Sequence, residues 1–123
     1  MKFYRCELCG NIVVKLVDGG GPLSCCGNDM KELKAGVTDA AQEKHVPAFQ
    51  REGDTLSVQV GEVIHPMTAE HYIQCIVVEQ GNQVQYVTLD STDEPKATFK
   101  IDPEKPATIY EYCNLHGLWK AQA

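Results

Sequence analysis

Four cysteines crowd into the first 26 residues, as C-x2-C at Cys6 and Cys9 and, after fifteen more residues, as the adjacent pair Cys25 and Cys26. Between the pairs lie an apolar run, NIVVKLV, and the turn signal DGGGP at 18–22. Such a stretch reads as short strands closed by turns. A unit of about 35 residues buries too little apolar surface to offset its chain entropy, so it needs a staple. Four thiols supply one. The chain opens MKFYRCELCG, with no apolar signal core, which leads us to expect a cytoplasmic protein. In that reducing compartment, paired cysteines point to metal ligands rather than disulfides. Two thiolates from each of two loops complete a tetrahedron. Gly10 and Gly27 follow the two pairs and suit tight turns that aim backbone N–H groups at sulfur. Iron and zinc both fit such a donor set.

The rest of the chain has a different rhythm. Residues 35–49, AGVTDAAQEKHVPAF, look irregular. From residue 55 the period is two, with Leu56, Val58 and Val60 alternating with polar residues. HYIQCIVVE (71–79) is rich in β-formers and is followed by a turn at QGNQ (80–83) and by VQYVTLD (84–90). ATFKID (97–102) and ATIYEY (107–112) complete the set, with prolines at 95, 103 and 106 breaking the runs. Short strands with frequent turns imply an all-β chain with an antiparallel sandwich, and no helix of useful length is visible. The expected domains are residues 1–35 and 36–123. The net charge of −6 argues against nucleic-acid or anionic-membrane partners, which need a basic surface. No apolar run approaches the roughly 20 residues needed to span a bilayer.

All four histidines sit where a strand meets a loop: His45 in EKHVP, His65 and His71 in HPMTAEH, and His116 in CNLHG, three residues after Cys113. Gly117 permits a turn that brings Cys113 and His116 onto one ion, and Pro47 and Pro66 stiffen the backbone beside two other candidates. Neutral imidazole with thiolate suits iron, copper or zinc. Five donors exceed a structural zinc tetrahedron. An octahedron with one open position would suit a redox iron that binds substrate.

EKHVP, HPMxxxH and CNxHG, in this order and preceded by C-x2-C-x15-CC, resemble the superoxide reductases of the two-iron desulfoferrodoxin type. The resemblance covers nearly the whole chain. It implies a desulforedoxin-like N-terminal domain whose iron is held by Cys6, Cys9, Cys25 and Cys26. It implies an immunoglobulin-like β-sandwich whose catalytic iron has His45, His65, His71 and His116 in one plane and Cys113 as axial thiolate. It further implies an oxidoreductase that reduces superoxide by one electron to hydrogen peroxide, a homodimer, and rubredoxin as electron donor. Glu43 resembles the glutamate that fills the sixth position in the oxidised resting state. Lys44 resembles the lysine that attracts superoxide and orders the protonating water. Cys75, where many relatives would carry tryptophan, reads as an inert packing thiol. A rubredoxin-like electron carrier and a zinc-stapled binding module are the competing readings.

Overall fold

Turn residues dictate how the opening segment folds. β1 (Phe3–Arg5) pairs antiparallel with β2 (Ile12–Val14), and CELCG lies in the connection between them. β3 (Ser24–Cys25) and β4 (Asn28–Asp29) make a second hairpin around Cys26 and Gly27, and β5 (Lys31–Leu33) returns to the other edge of β1. The computed structural model describes residues 1–123 and divides into two compact units, Met1–Lys34 and Ala35–Ala123. In the first unit only Phe3 and Cys6 are buried, so strands of two or three residues surround almost no apolar core.

The second unit begins with a single helical turn, α1 (Gln42–His45). Seven strands follow: β6 (Pro47–Glu52), β7 (Thr55–Val60), β8 (Ile73–Gln80), β9 (Gln83–Thr88), β10 (Lys96–Lys100), β11 (Thr108–Cys113) and β12 (Gly117–Gln122). They form a three-stranded sheet, β10-β7-β6, and a four-stranded sheet, β12-β11-β8-β9, with every pairing antiparallel. Three strands against four is the immunoglobulin-like sandwich. Leu56, Val58 and Val60 of β7 pack with Ile76 and Val78 of β8, Phe99 of β10 and Ile109 of β11. Each such aliphatic or aromatic side chain contributes about 1.5–3 kcal/mol on burial.

Strand β8 does not keep its period of two. Val78 and Ile76 face the core, but the next inward residue is Ile73 rather than Gln74. Its register against β11 shows why. Cys75 lies opposite Tyr112, Ile73 lies opposite Cys113, and Gln74 has no opposite number. Two residues facing one is a β-bulge, and a one-residue offset exchanges the faces of a strand. Ile73, and His71 two positions before it, therefore turn to the side that carries Cys113. Cys75 is half-buried, and burial pushes its thiol up to about 11, so it is protonated at neutral pH.

Candidate metal centres

The first centre lies in the first unit. All six cysteines of the chain are free. The sulfurs of Cys6, Cys9, Cys25 and Cys26 lie within 4.8 Å of one another. Cys9 and Cys25 are 3.6 Å apart and Cys25 and Cys26 3.8 Å apart. Thiolates about 2.3 Å from a tetrahedral ion have edges of roughly 3.8 Å, so the spacing fits a bound metal. Consecutive cysteines reach one point because Cys26 adopts φ +53°, a left-handed conformation that costs about 1–2 kcal/mol. The Cys9 backbone N–H approaches the Cys6 sulfur at 3.5 Å and the Asn11 amide approaches Cys25 at 3.6 Å. The Cys9 N–H is the main reason the Cys6 thiol falls to about 6, whereas neighbouring cysteines push Cys25 up and Cys26 up to about 12. Four thiolates this close need a cation between them.

The second centre is built from segments beside strand ends. His45 closes α1, His65 and His71 bracket the loop before β8, Cys113 ends β11, and His116 sits in the turn to β12. The histidine rings form a square. Neighbours around it are His45–His65, His65–His71, His71–His116 and His116–His45, with centroids 4.5–4.9 Å apart and planes 77–87° apart. His45 and His71 face each other across it at 6.4 Å, nearly parallel. The Cys113 sulfur approaches two opposite corners, 3.5 Å from His65 Nε2 and 3.9 Å from His116 Nδ1.

Hydrogen bonds select the ligating nitrogens. His45 Nδ1 donates to the Ala41 carbonyl at 2.7 Å and His65 Nδ1 to the Pro66 carbonyl at 2.6 Å, which leaves Nε2 of each for the centre. Such outer partners orient a metal-binding imidazole and set its tautomer. His116 instead presents Nδ1, 3.0 Å from His45 Nε2. Adjacent donors about 2.1 Å from an octahedral ion are roughly 3.0 Å apart. The Nε2 of His71 is buried with no hydrogen-bond partner, a deficit of about 1–3 kcal/mol that a central ion removes. Burial lowers His45, His65 and His71, His65 to about 4, so these rings keep their lone pairs at neutral pH. Burial raises the Cys113 thiol, opposed by the N–H groups of Leu115 and His116.

The two further site candidates, Glu43 and Lys44, are exposed on α1. Their main chain is held close to the next loop: the Val63 N–H donates to the Glu43 carbonyl at 2.9 Å, and Gly61 packs against Lys44. Several residues around the centre carried no signal in the sequence. Trp119 lies 5.1 Å from the His45 ring and donates to the His116 carbonyl at 3.0 Å. Glu111, in register with Ile76 and Trp119, is fully buried, and neither of its oxygens has a partner. Burial raises its carboxyl well above the usual range. Asn114 joins two loops, as described below.

The chain is similar to known proteins along nearly its whole length. Residues 37–122 match the Desulfoferrodoxin family and residues 1–33 match Desulfoferrodoxin, N-terminal domain. A desulfoferrodoxin homolog of Archaeoglobus fulgidus is 44% identical over 121 residues, covering 98% of this chain and 96% of its own. The desulfoferrodoxin of Nitratidesulfovibrio vulgaris is 44% identical over 122 residues, covering 99% and 96%. The crystal structure of the superoxide reductase from Treponema pallidum superposes with a TM-score of 0.79 at 31% identity, covering 98% of this chain and 97% of that one. With both sections matched in order and both donor sets assembled in space, the chain belongs to the desulfoferrodoxin family.

Proposed function

We propose that the chain is a superoxide reductase with iron at both centres. One observation carries this reading: four imidazoles in a square with a thiol on one side of it. His45, His65, His71, His116 and Cys113 would hold iron there, and iron(II) would supply the one electron that, with two protons, converts superoxide to hydrogen peroxide without release of dioxygen. The chain's own residues set the terms. Cys113, as thiolate, would donate charge to an ion held by the four imidazoles. The imidazoles of His45, His65 and His71, each lowered by burial, add no charge of their own at neutral pH. Lys44 draws the anion in against a net charge of −6, because local charge at an open face outweighs the distant total. Its ammonium has no ion-pair partner, and its charge is felt at His45 and His71. Lys44 would also order the water that delivers protons, and Glu43 would serve as a further ligand in the oxidised protein. We assign rubredoxin as the electron donor, a homodimer as the assembly and the cytoplasm as the location.

Metal analysis of anaerobically purified protein should find about two irons per chain, one for each donor set. The visible spectrum should show a tetrathiolate ferric band and a second band that disappears in Cys113→Ala. Zinc at both centres would leave a stapled binding module, and a tetrathiolate band alone would leave an electron carrier.

Lys44→Ala should slow the reaction with superoxide roughly ten-fold or more, since steering is worth about 10–10³ in on-rate. The wild-type rate should fall with ionic strength, and the variant should lose most of that dependence. Glu43→Ala should shift the ferric spectrum while leaving the first encounter fast. Pulse radiolysis on both variants reads this out. An unchanged rate and salt slope in Lys44→Ala would remove the lysine from the mechanism.

A further inference from the structure

We infer that Asn114 is the positioning residue that fixes His71 in the imidazole square. The rings of His45 and His65 are each pinned through Nδ1 to a backbone carbonyl, at 2.7 and 2.6 Å. The Nε2 of His71 is buried with no hydrogen-bond partner, so apart from its contacts with the other rings its place is set by its main chain. That main chain is tied first to its own turn: the His71 N–H donates to the Thr68 carbonyl and hydroxyl, each at 3.2 Å, and its carbonyl accepts from the Thr68 N–H at 2.9 Å. These bonds shape the turn but do not relate it to the other ligands.

Asn114 makes that connection. It directly follows Cys113 and stands two residues before His116. Its side-chain Nδ2 donates to the Glu70 carbonyl at 2.9 Å, and its Oδ1 accepts from the Tyr72 N–H at 2.9 Å. Its own backbone N–H donates to the Tyr72 carbonyl at 3.2 Å. Both neighbours of His71 are thus held by one residue on the segment that supplies two other ligands. The β8–β11 ladder ends at Ile73 and Cys113, and the amide provides the contacts just beyond it. The task needs a planar group offering a donor on one side and an acceptor on the other, which an amide has and a carboxylate lacks.

The inference rests on reading the five donors as an iron centre, but not on the reaction at it. Its test is the rate at which a chelator strips iron from the intact, loaded protein, followed by the second visible band, with the tetracysteine band as internal reference. Loss of an outer partner typically costs 10–100-fold in metal affinity. Asn114→Asp, close in shape, and Asn114→Ser should both release this iron about 10–100-fold faster, shift its ferric spectrum and leave the tetracysteine band alone. Ile109→Val, a core change away from the donors, serves as the stability control. Release at the wild-type rate overturns the assignment. So does faster release that merely tracks the loss of thermal stability seen in the control. Wild-type protein without the second band would overturn the iron centre itself and Asn114's role with it, a failure distinct from normal release in the variants.

Discussion

A Cys26→Ser protein is expected to carry an unfolded first unit beside an intact sandwich. Phe3 and Cys6 are the only buried side chains among the first 34 residues, and no strand there exceeds three residues. Hydrophobic burial on that scale cannot offset the ordering of the chain. Metal binding in small cysteine domains is worth about 10–16 kcal/mol, far more than the core supplies. Serine leaves three thiolates for a centre that needs four, and it keeps the left-handed backbone at φ +53° with no metal to offset its cost. The tetracysteine band should vanish, and the amides of β1, β2 and β5 should exchange freely, while those of β8 and β11 stay protected. Continued protection in β1 would show that the unit folds without its metal. Loss of protection in both units together would refute the proposed independence of residues 1–35 and 36–123.

Gly61→Ala should be the most damaging single methyl in the second unit. A Cβ there would collide with the Val63 carbonyl oxygen and sit 2.7 Å from that of Lys44, at φ +84°. Left-handed backbone costs about 1–2 kcal/mol for an L-residue and forced overpacking about 1–3, so we expect a loss of about 2–5 kcal/mol. Both obstacles are backbone atoms, which cannot swing aside. Relief must come from moving the chain at Lys44, and His45 is the next residue. The variant should therefore lose iron from the second centre as well as stability. Gly53→Ala isolates the steric part, because Gly53 has φ +58° but nothing within 4 Å of its added Cβ. Thermal melts and iron content of the two variants decide the point. Equal destabilisation, with iron retained in both, would mean that the close approach at Gly61 has no bearing on the centre.

The donors were legible in the sequence because each pairs a metal-binding side chain with a turn-forming neighbour: Gly10 and Gly27 behind the cysteine pairs, Pro47, Pro66 and Gly117 beside the histidines. The strands were legible where alternation is clean, as in β7. Less was readable where packing overrides the local pattern. In IQCIVV both phases place apolar residues inward, so nothing marked Gln74 as the bulged position. Glu111 reads as an outward polar residue between two tyrosines, yet lies wholly inside. Asn114 reads as a turn former, and its partners lie 42 and 44 residues away. The order of the histidines around the square, 45-65-71-116, is a product of the two sheets and has no trace in any short segment.

The unmatched Gln74 gives β8 a property that no composition describes. The strand joins a ligand segment at one end to the core at the other, and the spare residue is what brings both into phase. Removing one residue between 72 and 75 would turn His71 outward, and adding one elsewhere would expel Ile76 and Val78, because either change reverses faces along the rest of the strand. Loops at 81–82 and 90–95 lie outside this constraint. Exchanging one side chain for another in β8 should therefore be tolerated far better than changing its length, whereas the loops should accept insertions.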